Sequence, residues 1–320
     1  MRPFSRLAVL ALLCGAASLA LAGPLRDRLK ERRAERMQQH GASELDDGAG
    51  GRVAKVPDGV KVVRNVAYGS DPAQRFDVYI PQGGAHNAPV VLMVHGGGWS
   101  RGDKSMATVV ENKAARWVPR GVVFISMDYR MIPAANPLEQ ARDVARAAAA
   151  VQRRAGEWGG DGRKLVLMGH SAGAHLVTLV TSARDLGSEA GMQPWLGTVA
   201  LDGAAYNVVE IMQHRHYGLY DAAFGTDQNL WRDASPIMRL DHATVPLLGV
   251  CSSRREDSCA QARAYEARTT ALGSRMQVLS EDLSHREIND RLGEPGAYTD
   301  AVEAFLRSLD PALAGVFKSR

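Results

Sequence analysis

The sequence predicts an α/β fold in which a mostly parallel central sheet carries helices on both faces. Short apolar runs without polar alternation recur along the chain, and segments with helical periodicity separate them. Continuous apolar runs are typical of strands that are covered on both faces. Strands that alternate with helices favour parallel pairing, because each helix carries the chain back across the sheet. A length of 320 residues, with 45% hydrophobic and 23% charged residues, suits one large globular domain.

The N-terminus predicts an export signal over residues 1–22. Two arginines precede an apolar run at residues 7–21, and Ala20-Leu21-Ala22 forms a small-x-small cleavage site. The apolar run is too short for a comfortable membrane span. Residues 23–57 are charged and then rich in Gly and Asp, which predicts a lead-in or linker before a domain over residues 58–320. We therefore expect a periplasmic or secreted protein with no stable membrane span after cleavage.

The first predicted elements of the domain form an antiparallel hairpin. Residues 62–68 and 75–80 are strand-like and flank the turn Gly69-Ser70-Asp71-Pro72. The further strands are predicted at residues 90–94, 122–127, 165–168, 198–201, 246–251 and 276–279.

The clearest predicted helix covers residues 137–155. Asn136 can cap it, a proline occupies its first position, and Glu139 can complete a capping box. A helix over residues 260–272 ends at Gly273, as many helices end at glycine. The buried stripe of the last helix is predicted to comprise Val302, Phe305, Leu306 and Leu309.

Residues 203–245 interrupt the alternation of strands and helices. This stretch is long, contains several aromatic residues and lies between two predicted strands. Loops of this length inside a compact domain are usually functional. We predict a small cap insertion over a binding site; an additional packed helix is the alternative.

The run Gly169-His170-Ser171-Ala172-Gly173 follows one predicted strand and precedes a helix-like segment. A G-x-S-x-G run in this context is typical of a nucleophile elbow, a tight turn that exposes the serine hydroxyl above the sheet. Small neighbours are needed because the turn is sterically crowded. Ser171 is therefore the candidate nucleophile.

A second glycine-rich run, His95-Gly96-Gly97-Gly98-Trp99, follows the strand at residues 90–94. Such a turn leaves backbone N–H groups free to stabilise a developing oxyanion. The candidate oxyanion-hole donors are the N–H groups of Gly97, Gly98 and Ala172. Ala172 follows the nucleophile and begins a helix, whose dipole favours negative charge there.

A serine hydroxyl needs a base and a group that orients the base. In folds with a nucleophile elbow, the chain order is serine, acid, histidine. His285 follows the last predicted strand by a short polar loop and is the candidate base.

The acid is expected in the turn after the strand at residues 246–251. Asp257 is the first choice in this turn and Glu256 is the alternative acid. Asp202, at the end of the strand at residues 198–201, is the third candidate.

Two cysteines, Cys251 and Cys259, remain after cleavage of the signal. In an oxidising compartment, a pair eight positions apart can form a disulfide. The pair would clamp the turn in which the acid is expected, whereas two inert buried thiols are the alternative.

The composition argues against several other functions. The net charge of +4 comes partly from the arginine-dense run over residues 26–36, but no base-stacking aromatic residues accompany it, so no nucleic-acid partner is predicted. No H-E-x-x-H or paired C-x-x-C motif occurs, and neither a metal nor a cofactor is predicted. The oligomeric state cannot be predicted from these features.

Together these runs resemble the α/β-hydrolase superfamily, and within it the esterases with an HGGGW-type oxyanion loop. That group includes hormone-sensitive-lipase-like, acetyl and feruloyl esterase-like and kynurenine formamidase-like enzymes. The resemblance covers about residues 60–310. Beyond the two glycine-rich runs it rests on residues 75–81, Gly102-Asp103-Lys104, Asp128-Tyr129-Arg130 and Ala234-Ser235-Pro236. The turn after the strand at 246–251 departs from the family, being longer, rich in arginine and flanked by cysteines.

The resemblance implies a serine hydrolase that cleaves small-molecule carboxylic esters through an acyl-enzyme, and the predicted export signal implies that this hydrolase is secreted. An amidase of the arylformamidase type is the alternative within the enzymes. A hydrolase-fold binding protein without turnover is the alternative of a different class, and it would be expected to lack a triad residue or a loop glycine. One fold hosts many functions, so the substrate is not implied.

Overall fold

The computed structural model describes residues 51–317. The predicted export signal over residues 1–22 and most of the predicted lead-in lie outside the described residues. The described end of the lead-in contacts the domain. The N–H of Ala54 donates to the carbonyl of Ser105 over 2.7 Å, and the N–H of Ala107 donates to the carbonyl of Arg52 over 3.0 Å. Residues 52–54 therefore lie against the start of the first helix.

An eight-stranded sheet organises the domain. Its strands are β1 Val60–Ala67, β2 Arg75–Pro81, β3 Ala88–Val94, β4 Val123–Met127, β5 Gly160–His170, β6 Gly197–Leu201, β7 Leu247–Ser252 and β8 Met276–Glu281. In space they follow the order β1-β2-β4-β3-β5-β6-β7-β8. β2 pairs antiparallel with β1 and with β4, and all remaining pairs are parallel. The predicted mostly parallel sheet is confirmed, as are the hairpin and the further strands.

Helices connect the parallel strands. They are α1 Ala107–Trp117, α2 Pro137–Arg154, α3 Ala172–Ser182, α4 Arg184–Ala190, α5 Val208–Gln213, α6 Gly218–Phe224, α7 Gln228–Asp233, α8 Glu256–Ala271, α9 His285–Asp290, α10 Ala297–Arg307 and α11 Pro311–Val316. At the start of α2, the Asn136 side chain accepts from the N–H of Glu139, and the Glu139 side chain accepts from the N–H of Asn136. The predicted capping box is therefore confirmed.

Apolar side chains cover both faces of the sheet. Along β3, Val90, Leu92 and Val94 belong to a cluster that includes residues of α2 and α3. Val91 and Met93 belong to a second cluster that includes residues of α1 and α10. All five side chains are fully buried. Alternate residues of one strand thus pack under helices on opposite faces, which explains the unbroken apolar run in the sequence.

The predicted cap insertion follows β6 and contains α5, α6 and α7. Tyr220 and Phe224 on α6 pack against Trp99, with ring centroids 5.7 and 5.0 Å apart. The insertion is thereby attached to the glycine-rich turn after β3. Within residues 51–317, none of the helices combines the length and the apolar character needed to span a bilayer.

Candidate active site

Ser171 occupies the tight turn between β5 and α3, with φ 56° and ψ −120°. A positive φ is strained for a residue with a side chain. Two glycines make room for this turn. A Cβ on Gly169 would lie 2.3 Å from the carbonyl oxygen of Gly173, and one on Gly173 would lie 2.2 Å from that of Val94. The turn therefore has the geometry of a nucleophile elbow, and its helix begins directly against the end of β3.

His285 reaches Ser171 from the first turn of α9. Its Nε2 lies 2.9 Å from Oγ of Ser171, and the imidazole is buried. Ser284 caps this helix by accepting from the N–H of Glu287. Nε2 of His170 donates to the backbone carbonyl of His285 over 2.9 Å. The capped helix start and this hydrogen bond hold the imidazole where the sequence predicted the base.

The structure places a different acid beside His285 from the one that the sequence predicts. The sequence predicts Asp257, with Glu256 as the alternative, but Oδ2 of Asp202 lies 2.6 Å from Nδ1 of His285. Asp257 and Glu256 lie in the first turn of α8, and Asp257 pairs with Arg255 at 3.1 Å with its side chain 41% exposed. Both placements are therefore wrong in this structure. Acidic residues in the first turn of a helix are stabilised by its dipole, which explains them without catalysis.

Asp202 directly follows β6, which lies between β5 and β7 in the sheet. The chain turns there with a φ of 49°, and aspartate is among the side chains that tolerate this conformation. In the register of the sheet, the last residue of β5 pairs with Leu201. The N–H of Ser171 also donates to the carbonyl of Leu201 over 2.9 Å. Ser171 and Asp202 thus each directly follow one of two neighbouring strands, β5 and β6, and lie side by side.

The carboxylate of Asp202 is buried and accepts hydrogen bonds on both oxygens. Oδ1 accepts from the N–H of Ser252 over 2.7 Å and from Oγ of Ser258 over 2.5 Å. Oδ2, besides facing His285, accepts from Nη1 of Arg255 over 2.8 Å. Burial alone would raise the pKa of Asp202, but the guanidinium of Arg255 and the hydrogen bonds hold this pKa below its ordinary value. The carboxylate therefore remains ionised at neutral pH.

The glycine-rich turn after β3 has a left-handed backbone at Gly97, Gly98 and Trp99, with φ of 114°, 57° and 61°. A Cβ on Gly97 would lie 1.8 Å from the carbonyl oxygen of Arg101, so only glycine fits there. Within residues 51–317, the N–H groups of Gly97, Gly98 and Ala172 donate to no acceptor. They are therefore free to bind an oxyanion.

Trp99 connects this turn to the helix that follows Ser171. Nε1 of Trp99 donates to Nδ1 of His175 on α3 over 3.1 Å. Nε2 of His175 in turn donates to the carbonyl of Ala234 over 2.7 Å. Burial lowers the pKa of His175 to about 4, so the ring is neutral and satisfied on both nitrogens. Trp99 thus packs beside the candidate hole.

Cys251 and Cys259 are joined by a disulfide with a Cα–Cα distance of 5.1 Å. The predicted pairing is therefore present in the structure. The bond links the end of β7 to the first turn of α8 and encloses residues 252–258. The enclosed segment supplies every partner of the Asp202 carboxylate other than His285, namely Ser252, Arg255 and Ser258.

Sequence reasoning did not assign these three residues to the site. The available signal was a polar run between two cysteines at the end of a buried strand. That run predicts a clamped turn near the site, and its own acidic residues, Glu256 and Asp257, are the acids that it offers. In the structure it holds an acid that comes from the neighbouring strand.

A groove of about 560 Å³ lies between the loop after β4 and the α6–α7 region. Ile132, Pro133, Phe224 and Leu230 contribute to its walls, whereas Ser171, Asp202 and His285 do not. Among residues 51–317, no three His, Cys, Asp or Glu side chains are grouped so that they could hold a metal ion.

Comparison with known proteins adds sequence relatives and structural neighbours. A family model described as BD-FAE matches residues 76–254. The probable isoprenylcysteine alpha-carbonyl methylesterase ICME of Oryza sativa subsp. japonica is 32% identical over 171 residues, which is 51% of this chain and 40% of that protein. The chain thus spans about two fifths of the length of this relative. Esterase LipC of Mycobacterium tuberculosis is 29% identical over 236 residues, which is 67% of this chain and 56% of LipC.

The kynurenine formamidase of Salmo salar is 29% identical over 148 residues, covering 46% of this chain and 47% of that protein. Among solved structures, esterase B from Lactobacillus rhamnosis superposes with a TM-score of 0.66 at 19% identity, covering 90% of this chain and 96% of the other. At this identity the superposition shows a shared α/β-hydrolase fold.

Proposed function

The chain belongs to the BD-FAE family, and from this premise we propose that it is a serine hydrolase that cleaves carboxylic esters through an acyl-enzyme. The observation that carries the proposal is the continuous contact from Oγ of Ser171 to Nε2 of His285 at 2.9 Å and from Nδ1 of His285 to Oδ2 of Asp202 at 2.6 Å. This order of contacts is the one that nucleophilic catalysis by serine requires.

In the proposed reaction, Oγ of Ser171 attacks the ester carbonyl while Nε2 of His285 takes the hydroxyl proton. Asp202 keeps the other proton of the imidazole on Nδ1 and stabilises the imidazolium. The N–H groups of Gly97, Gly98 and Ala172 stabilise the oxyanion. His285 then protonates the departing alcohol, leaving an acyl-enzyme. Water, deprotonated by His285, attacks the acyl carbon and releases the acid and free Ser171.

We also propose that the mature protein is periplasmic or secreted. Two features support this location: the apolar N-terminal run with its cleavage site, and the Cys251–Cys259 disulfide. Disulfides persist in oxidising compartments and are rare in reducing ones.

An amidase of the arylformamidase type is the second candidate, because kynurenine formamidases are among the sequence relatives. Acyl transfer from an amide would use the same three side chains and differ in the leaving group. A binding protein without turnover is less well supported, since Ser171, His285, Asp202 and the loop glycines are all retained.

The deciding experiment combines active-site labelling with a substrate panel. A fluorophosphonate should label Ser171 stoichiometrically, and Ser171→Ala should lose both labelling and turnover while it stays folded. The panel should contain p-nitrophenyl esters of rising chain length and N-formyl aromatic amides. Faster turnover of the amides would move the protein to the second candidate. Labelling without any turnover would support binding alone, and labelling at another residue would contradict the assignment of Ser171.

A further inference from the structure

A buried guanidinium lies against the Asp202–His285 pair, and the proposed mechanism gives it no role. Nη1 of Arg255 lies 2.8 Å from Oδ2 of Asp202 and 3.0 Å from Nδ1 of His285. The side chain of Arg255 is only 6% exposed. Arginine stays protonated at all pH values relevant to proteins, so this positive charge is permanent.

The polarity of the contact between Arg255 and His285 follows from the tautomer of the imidazole. Nδ1 of His285 faces a carboxylate oxygen at 2.6 Å, so it carries the proton and donates to Asp202. A guanidinium nitrogen has only protons to offer. Arg255 therefore donates a hydrogen bond to Oδ2 of Asp202, whereas its N–H group and the Nδ1–H group of His285 repel each other. When His285 takes the serine proton, the imidazolium forms 3.0 Å from a second positive charge.

Asp257, on the solvent side of Arg255, partly compensates this positive charge. Its Oδ2 accepts from Nη2 of Arg255 over 3.1 Å. The Asp257 side chain is 41% exposed, so water and salt screen its attraction more than that of the buried Asp202. Removing Asp257 should leave the charge of Arg255 less compensated and strengthen its effect on His285.

Other titratable groups on the surrounding elements could also contribute to the pH dependence of activity. They are His170 at the end of β5, Lys113 on α1, Tyr206 and Tyr220 in the insertion, Glu281 on β8 and Tyr298 on α10. Burial and the neighbouring His285 hold the pKa of His170 well below its ordinary value, and burial raises the pKa of each of the three tyrosines. Burial lowers the pKa of Lys113 to about 7. Lys113 is present in every variant used below, so its contribution is common to all of them.

We propose that Arg255 is a positioning residue whose fixed positive charge, 3.0 Å from Nδ1 of His285, disfavours the imidazolium, with Asp257 limiting the effect. This inference rests on the proposed serine hydrolase function. A fixed positive charge at 3.0 Å disfavours the imidazolium, so activity extends to lower pH.

The test is the acid limb of the pH profile of kcat/KM, measured with p-nitrophenyl acetate. Arg255→Met removes the charge and keeps much of the side-chain length; its midpoint should rise by about one pH unit. Arg255→Lys keeps a charge, and its midpoint should stay within about 0.5 unit of that of the wild type. Asp257→Asn should move the midpoint down, by roughly 0.3 unit. Opposite shifts from two partners of one ion pair are not expected from a merely structural role.

Arg254→Met is the matched control. Arg254 is the preceding residue, is 47% exposed and pairs with Asp282 and Glu287 at the surface, so its loss should leave the midpoint unchanged. A folded Arg255→Met with an unchanged midpoint overturns the proposal, as does a shift of equal size in Arg254→Met. If Arg255→Met does not fold, Asp257→Asn decides, and the absence of a downward shift overturns the proposal.

The pH dependence of fluorophosphonate labelling separates this inference from the proposed function. Labelling needs an activated Ser171 but no turnover of an ester. If the esters are not hydrolysed but the labelling midpoint still shifts up in Arg255→Met, the substrate proposal fails and the role of Arg255 holds. If ester turnover is present and neither midpoint moves, the role of Arg255 fails and the function holds.

Discussion

Trp99 donates to His175 across the gap between the glycine-rich turn and the helix that follows Ser171, with Nε1 and Nδ1 3.1 Å apart. The bond requires a histidine that is unprotonated on Nδ1. Because His175 also donates to Ala234 in the insertion, one neutral ring connects the turn, the helix and the insertion.

The stability of the protein should therefore depend on the protonation of His175. The folded pKa of about 4 lies below the ordinary value of 6.5, so the unfolded chain binds more protons between these two pH values. The stabilising effect is complete above pH 6.5 and is lost as the pH falls towards 4, by about 3 kcal/mol in total. Urea unfolding of the wild type and His175→Gln from pH 7 to 4.5 measures this loss. Parallel curves for the two proteins would contradict the prediction.

Substitution of the acid should distinguish Asp202 from Asp257. In Asp202→Asn, the amide can no longer hold the proton on Nδ1 of His285, so kcat should fall by about 10³- to 10⁴-fold. Asp257→Asn should change kcat at pH 8 by less than about tenfold, because Asp257 contacts Arg255 and not His285. Glu256→Gln is the surface control. Steady-state kinetics of the three variants, with circular dichroism to confirm folding, gives the order, and a larger loss in Asp257→Asn would refute it.

The disulfide should affect catalysis more than stability. Its loop is short, so replacing Cys251 and Cys259 together by alanine should lower the free energy of unfolding by about 2–3 kcal/mol. The enclosed segment contributes three of the groups that hold Asp202, so its loosening should lower kcat more clearly than the melting temperature. A free-thiol assay on the denatured, unreduced protein tests the premise. Two reactive thiols would remove the basis of this prediction.

Lys113 on α1 is fully buried, and its ammonium donates to the carbonyls of Thr108 and Asn289 over 3.0 and 2.6 Å. Burial lowers its pKa from 10.5 to about 7. The unfolded chain therefore binds more protons between pH 7 and 10.5, and stability should rise with pH in that interval. Relative to Lys113→Met, the wild type should gain about 3 kcal/mol between pH 7 and 9.5. Urea titrations of both proteins measure the difference, and a constant difference would exclude this effect.

The sheet could be predicted because each strand has a recognisable local sequence pattern. Residues such as Val90 to Val94 are apolar without interruption, and burial on both faces leaves no other role for them. The tight turns that hold Ser171 and the candidate oxyanion-hole donors could be predicted for a similar reason, since Gly97, Gly169 and Gly173 leave no space for a Cβ. Steric constraints of this kind depend only on single residues and their immediate neighbours in the sequence.

The acid could not be found in the same way, because its identity depends on which strand end faces His285. Asp202 and Asp257 both follow buried strands, and both are short acidic side chains. The φ of 49° at Asp202 and the donors that come from β7 and α8 decide between them. These contacts join residues about 50 positions apart in the chain, which no local pattern reveals.

The placement of Ser171 and Asp202 at paired strand ends also bears on how the protein would lose the proposed activity. Both side chains are attached to the hydrogen-bonded centre of the sheet, whereas His285 comes from a six-residue helix near its edge. Elements of this kind open locally at a lower free energy than central strands. Mild denaturant should then inactivate the protein by displacing the imidazole of His285 while Ser171 and Asp202 remain in register. Such inactivation would be fully reversible on dilution and would precede any loss of the β-sheet signal.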